Sequence, residues 1–235
     1  MPSSTPSISE EFSESDQRPT RAVFCDFDGT ITARETFVDV LKTFAPEKSE
    51  ALIPEMYALR LTLREGVRQI LESIPSAQLP AMLDRVRSAP LRPGVAEFLH
   101  FLQEQQVPFV VISGGLELFV REVLQEFEPF IAGIYAGKID SSGEYLRVFS
   151  DFEDEQELIS KVKVMAEYPA EESIAIGDSV TDLQMAQEAD RVFARDRLAK
   201  YLIEREVTFE PWEDFHQIQA RLKKLWETKV DSLSS

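Results

Sequence analysis

Apolar positions along this chain fall into two rhythms. Short unbroken runs at Ala22–Cys25, Val107–Ile112, Ser173–Ile176 and Val192–Ala194 have the pattern of strands buried on both faces of a parallel sheet. Elsewhere apolar residues recur every three or four positions, as on one face of a helix. Phe37, Val40, Leu41 and Phe44 begin this second rhythm. Leu52, Met56, Leu59 and Leu63 continue it, followed by Val67, Ile70 and Leu71, and then by Leu79, Met82, Leu83 and Val86, with Pro46, Pro75, Pro80 and Pro90 as punctuation. One crossover helix would be enough to reach the next strand, so this long helical stretch predicts a cap module inserted after the first strand. The plainer alternative is a set of helices that covers the sheet.

Beyond the insertion the chain alternates. Pro93-Gly94 opens a helix through Val95, Phe98, Leu99 and Leu102, and a second helix carries Leu118, Phe119, Val123 and Leu124. Ile131–Ala136 and Tyr145–Phe149 flank Asp140-Ser141-Ser142-Gly143, which predicts a hairpin with Gly143 in its turn. A helix is expected from Leu158 through Val162, Met165 and Ala166, another through Leu183 and Ala186, and a last one through Ile218, Leu222 and Leu225. The predicted fold class is α/β: a Rossmann-like three-layer α/β/α core with a mainly parallel sheet and a small inserted helical cap. The expected boundaries are a core of residues 20–34 and 91–228, a cap of 35–90, a Ser- and acid-rich disordered tail of 1–19, and a C-terminal tail of 229–235.

Composition narrows the function. The 235 residues carry 25 Lys+Arg against 42 Asp+Glu, a net charge of −17, which argues against nucleic acid or an anionic membrane as partner. An anionic substrate would need a local positive site. Cys25 is the single cysteine, so no internal disulfide is expected, and a cytoplasmic location fits. No apolar run has the length of a membrane span. His100 and His216, the only histidines, are expected to be structural or exposed. The acidic run Asp151–Glu157 reads as a solvated loop or helix start rather than a metal site.

The chemistry gathers at three strand ends. Asp26 and Asp28 end the first run, Ser113-Gly114-Gly115 follow the second, and Gly177-Asp178 with Asp182 follow the third. Parallel strands bring these ends to one edge of the sheet, where open α/β folds bind ligands. Asp26 and Asp28 share a face if the strand persists that far. Asp182, four residues after Asp178, can face the same site from the first helical turn. Carboxylate oxygens suit Mg²⁺. Ser113 offers a hydroxyl, and the amides that follow, expected at a helix start, suit phosphate.

Asp26-Phe27-Asp28-Gly29-Thr30, Ser113, a later lysine and Gly177-Asp178-Ser179-Val180-Thr181-Asp182 resemble, in order, the four motifs of the haloacid dehalogenase superfamily of aspartate-nucleophile phosphatases. The likeness spans roughly residues 22–200, and the insertion resembles that superfamily's helical cap, shared with phosphoserine phosphatases. Cys25 to Thr32, Lys42-Thr43-Phe44-Ala45-Pro46, Val111 to Gly115, Gly177 to Asp182 and Phe193-Ala194-Arg195-Asp196 bring the resemblance nearer to the methionine-salvage phosphatases. The resemblance implies a Mg²⁺-dependent phosphomonoesterase acting on a small metabolite, with 2-hydroxy-3-keto-5-methylthiopentenyl-1-phosphate as the expected substrate. A phosphoserine phosphatase is the alternative, and a catalytically silent binding or regulatory module of the same fold is the alternative from another class. The enzyme is expected as a monomer or homodimer. By resemblance Asp26 is the nucleophile and Asp28 the acid and base. Asp26, the Asp28 carbonyl and Asp178 would hold Mg²⁺, Ser113 and Gly114 the phosphate, and Asp182 would position a lysine or a metal-bound water. Lys161 and Lys163 compete for the lysine role, and the apolar residues that follow favour Lys161. Glu35 is the candidate for substrate specificity, with Arg34, Arg60 and Arg64 available to a substrate carboxylate.

Overall fold

The computed structural model describes residues 19–58 and 60–233, the last six by backbone alone. The tail expected before residue 19 and the apolar position Leu59 lie outside the described residues. Among those described, seven strands form one sheet in the order β4-β3-β2-β1-β5-β6-β7. These are β1 (Arg21–Cys25), β2 (Phe109–Leu116), β3 (Gly133–Asp140), β4 (Arg147–Phe149), β5 (Glu172–Gly177), β6 (Arg191–Ala194) and β7 (Glu210–Pro211). All neighbours pair in parallel except β3 and β4, which form the expected antiparallel hairpin. The two-residue β7 has no apolar run and was not legible in the sequence.

β1 lies at the centre because its side chains can be buried on both sides. Val23 and Cys25 face one layer, packed with Phe98 and Leu102 of α5 (Val95–Glu104) and Ile218, Leu222 and Trp226 of α10 (Phe215–Leu233). Ala22 and Phe24 face the other, with Val164 of α7 (Lys161–Ala166) and Met185 of α8 (Leu183–Glu188). This alternation is the period of two expected of a strand. α6 (Glu117–Leu124) and α9 (Asp196–Glu204) complete the covering helices. The last helix runs on to Leu233, through most of the stretch expected to be a tail. No helix of the described residues is long and apolar enough to cross a membrane.

Between β1 and β2 lie α1 (Thr36–Phe44), α2 (Pro46–Tyr57), α3 (Leu63–Leu71) and α4 (Leu79–Val86). Pro46 sits at the first turn of α2, where its missing N–H costs nothing. Thr62 caps α3 by accepting the Glu65 N–H at 3.1 Å. The inward faces of these helices share an apolar cluster that includes Leu41, Met56, Ile70, Leu71 and Met82 and runs on into Leu116 of β2, Phe119 of α6, Val148 of β4 and Leu158. The two connections to the sheet lie side by side: Ala33 N–H donates to Pro90 O at 2.8 Å and Arg92 N–H to Ile31 O at 2.8 Å. The insertion therefore leaves and returns through one narrow neck above the end of β1.

Candidate active site

β1 ends at Cys25, one residue short of the first carboxylate. The strand does not persist to Asp28. Asp26 keeps one sheet hydrogen bond, N–H to Ile176 O at 2.9 Å, and the chain then turns through Phe27–Ile31, closing when Thr32 N–H donates to Phe27 O at 3.0 Å. Gly29 takes the positive φ of 81° that this turn requires. Asp26 and Asp28 still reach one cavity, but by way of the turn rather than strand alternation.

Asp26, Asp178 and Asp182 bring carboxylate oxygens within 4.8 Å of one another, all buried. Lys161, 2% exposed, lies between two of them: its Nζ donates to Asp26 Oδ1 and to Asp182 Oδ1, both at 2.5 Å. Lys163, on the same short helix, is exposed and donates to Glu153 O at 2.7 Å. The expected helix from Leu158 begins three residues later, at Lys161. Leu158 and Ile159 instead lie buried in a bend before the helix, 3% exposed each. That start places Lys161 in the first turn, aimed at the carboxylates.

The other Asp182 oxygen accepts the N–H groups of Asp178 at 3.0 Å and Ser179 at 2.9 Å. Both of its oxygens are thus engaged by the protein, which makes Asp182 an anchor for Lys161 and the Asp178 loop. Gly177 allows this approach, since a Cβ there would lie 2.6 Å from Asp182 Cγ. Asp178 accepts the Thr30 hydroxyl at 3.3 Å through Oδ1. Arg92 donates to the Thr30 carbonyl at 2.8 Å and to the Gly29 carbonyl, bracing the turn from behind.

Burial pushes the Asp26 carboxyl well up, with Asp182 adding to the effect and Lys161 opposing it. Asp178 rises to about 7, through burial and then the charges of Asp182 and Glu35. Burial also works against the Lys161 ammonium, yet Asp182 and Asp26 outweigh it and hold the group charged. With all three carboxyls ionised, one ammonium would leave two negative charges, and the donors are all oxygen. That set fits a hard divalent cation. Among the described residues, Asp178 Oδ2 carries no protein hydrogen bond and is open to such a cation, while Asp182 remains an anchor. Gly29→Ala would put a Cβ on Asp178 Oδ2 and force a positive φ. A thermal melt should show a loss of about 1–3 kcal/mol, and metal titration should show weakened affinity.

Asp28 faces the cavity differently. Its Oδ1 accepts the N–H groups of Thr36 at 2.9 Å and Phe37 at 3.0 Å, at the start of α1. Burial outweighs those bonds and raises the carboxyl to about 7. Ser113, 1% exposed, accepts the Gly115 N–H at 3.0 Å, which leaves its own proton free to donate. The glycines do not begin a helix as expected. β2 runs on to Leu116 with a shift in register against β3, and α6 starts only at Glu117. Gly114 and Gly115 line the cavity as extended backbone.

Phe37, Val38, Leu41, Ile53, Met56 and Val67 form the cap side of this cavity, with Glu35 and Arg197 also on its wall. Of the arginines considered from sequence, Arg60 pairs with Glu55 at 2.7 Å on the surface, and Arg34 lines a neighbouring outer cleft. The Arg64 backbone N–H donates to Gln156 O at 2.9 Å, and its side chain does not line the cavity. Arg197, which no motif marked, lies over the Tyr57 ring at 4.8 Å and so joins α9 to α2. Cys25 is fully buried and its thiol is pushed up by burial, consistent with packing. His100 packs edge-on against Phe130 at 4.5 Å, and neither histidine lines the cavity.

The haloacid dehalogenase-like hydrolase family matches residues 23–187. A 2-hydroxy-3-keto-5-methylthiopentenyl-1-phosphate phosphatase from Microcystis aeruginosa (strain NIES-843 / IAM M-2473) is 52% identical over 204 residues, covering 86% of this chain and 97% of that protein. A phosphatase of the same description from Bacillus mycoides (strain KBAB4) is 37% identical over 220 residues, covering 88% and 98%. Among solved structures, a phospho-aspartyl intermediate analogue of phosphoserine phosphatase superposes with a TM-score of 0.64 at 17% identity, covering 87% of this chain and 99% of that one. A substrate-bound phosphoserine phosphatase gives 0.65 at 16% identity, covering 88% and 99%. At those identities the structural likeness speaks for the fold alone.

Proposed function

Because this chain belongs to the haloacid dehalogenase-like hydrolases and is a phosphatase of that family, we propose that it hydrolyses 2-hydroxy-3-keto-5-methylthiopentenyl-1-phosphate by way of an aspartyl-phosphate on Asp26. The observation that carries the mechanism is the Asp26–Lys161–Asp182 relay. Lys161 occupies Asp26 Oδ1, which leaves Oδ2 to attack phosphorus. The phosphorus–oxygen bond to the leaving group breaks as the bond to Asp26 forms, and Asp28 gives its proton to the departing oxygen. Asp28, now a carboxylate, takes a proton from the water that attacks the intermediate, which releases phosphate and restores Asp26. Ser113 and the Gly114 amide hold phosphate oxygens, and Asp182 keeps Lys161 in line. Mg²⁺ held by Asp26, the Asp28 carbonyl and Asp178 would neutralise the charge between nucleophile and phosphate.

The substrate reading rests on the relatives at 52% and 37% identity, and the cavity supports it. A thioether tail needs apolar walls, and Leu41, Ile53, Met56 and Val67 supply them. Phosphoserine would instead need partners for an ammonium and a carboxylate. Burial pushes the Glu35 carboxyl up, and the charge of Arg197 only partly offsets this, so it is a poor free counter-charge for an ammonium. We therefore expect kcat/KM for the enol phosphate to exceed that for phosphoserine, and Glu35→Gln to leave that order unchanged. Phosphoserine as the better substrate, lost selectively in Glu35→Gln, would reverse the reading. The free, buried thiol of Cys25 suits a reducing cytoplasm.

Asp28→Asn provides a separate check on the acid role. An alkyl or enol leaving group needs a proton, whereas p-nitrophenolate does not. The variant should lose about a hundredfold or more on the enol phosphate, and less in the first step with p-nitrophenyl phosphate, as read by a phenolate burst. Equal losses in that step would remove Asp28 from the acid role.

A further inference from the structure

Glu157 closes the acidic run that the sequence presents as a solvated loop. The structure turns this one residue inward. It lines the same cavity as Asp26, Asp28, Gly114 and Lys161, next to the apolar Leu158 and Ile159. The loop that carries it is firmly held. Asp154 Oδ1 accepts the N–H groups of Gln156 and Glu157, both at 2.8 Å, and Asp154 N–H returns a bond to Glu157 O at 3.0 Å. Gln156 O accepts the Arg64 N–H of α3 at 2.9 Å, and Glu153 pairs with Arg68 at 2.7 Å. These contacts tie the loop to the cap.

Several other polar groups on the cavity wall are already engaged. Asp26 is bonded to Lys161, Asp28 accepts two amides, and the Ser179 and Thr181 hydroxyls bond each other at 2.8 Å. Arg197 lies over Tyr57, and burial pushes the Glu35 carboxyl up, an effect that the charge of Arg197 only partly offsets. Among the described residues, the Glu157 carboxyl has no hydrogen-bond partner, although burial pushes it up to about 7 and Lys161 is the cation acting on it. A half-buried carboxyl fixed in a cavity without a partner is a group that a ligand can satisfy. In its neutral form it can donate as well as accept.

We propose that Glu157 determines specificity by hydrogen-bonding a hydroxyl or carbonyl oxygen on the substrate carbon next to the phosphoester carbon. The assignment rests on the phosphatase reading above, and it selects oxygenated phosphomonoesters over plain alkyl ones. The apolar cap wall then takes the remainder of the chain. Glu157 takes no part in the bond changes at phosphorus.

The test compares kcat and KM for 2-hydroxypropyl phosphate, n-propyl phosphate and the enol phosphate in wild type, Glu157→Gln, Glu157→Met and Glu157→Ala. Glu155→Gln, at an exposed position of the same loop, serves as the control. Wild type should prefer the hydroxylated ester. Glu157→Met should reduce that preference about tenfold to a hundredfold, chiefly through KM. Glu157→Gln, which keeps a donor and an acceptor, should retain it within about threefold, and Glu155→Gln should leave it unchanged. Glu157→Ala reads the same ratio if the methionine variant does not fold. Equal losses on both propyl esters, or an unaltered preference, would overturn the assignment. An enzyme inert toward the enol phosphate yet selecting the hydroxylated ester through Glu157 would overturn only the substrate reading. An enzyme active on the enol phosphate whose preference survives Glu157→Met would overturn only the role of Glu157.

Discussion

Asp26→Asn should fold normally and turn over the enol phosphate about ten thousandfold more slowly, or not at all. The substitution changes one oxygen for an amide in a fully buried position, with almost no change in shape. An amide cannot form the covalent bond to phosphorus that splits the reaction into two steps. The fold should not suffer, because the asparagine carbonyl can still accept from Lys161, and the site loses one of its three crowded carboxylates. A melting temperature equal to or above that of wild type, together with lost turnover, separates the chemical role from a structural one. Circular dichroism melts and a phosphate-release assay on the same preparation make the comparison.

Lys161→Met should be the second severe change, and here both stability and turnover should fall. Among the described residues, the ammonium is the one positive charge in direct contact with the buried aspartates, at 2.5 Å from two of them. Methionine has a similar length but leaves Asp26 and Asp182 facing each other with no cation between them. Breaking a buried charge set in this way costs about 3–5 kcal/mol. Turnover should drop by about a thousandfold or more, because the lysine both orients Asp26 and offsets charge on the transferred phosphoryl group. Lys163→Met should change either quantity little, since Lys163 is exposed and bonded to a loop carbonyl. A variant pair with the opposite pattern would move the lysine role to Lys163. Lys161→Arg keeps the charge but not the compact shape, so it should recover part of the stability and little of the turnover.

Much of this site can be read in the sequence for a specific physical reason. Parallel strands that alternate with helices deliver their C-terminal ends to one edge. Residues after Cys25, Ile112 and Gly177 therefore meet wherever the chain goes between them. The apolar periodicity likewise marks helices α1–α4, because each buries one stripe. Where the reading falls short, the determinant is not in the local pattern. The turn after Cys25 closes over five residues because Gly29 and the Arg92 bonds allow it, and Arg92 lies far along the chain. β2 extends through Ser113-Gly114-Gly115 because β3 pairs with it across a register shift, a tertiary effect invisible in the glycines themselves. The start of α7 at Lys161 goes with Leu158 and Ile159 being buried in a bend just before it. Glu157 and Arg197 belong to stretches that look solvated, and only the closure of the cap over them makes them part of the cavity.

A covalent phosphoryl-enzyme at Asp26 should be trapped by rapid quench. Wild-type enzyme is mixed with labelled enol phosphate and Mg²⁺, stopped in acid within a turnover, reduced with borohydride and mapped by mass spectrometry. The label should be stable in acid and lost to hydroxylamine, with position 26 converted to homoserine, and Asp26→Asn should carry none. Turnover without any labelled aspartate, with water oxygen delivered to phosphate in a single displacement, would contradict the covalent route.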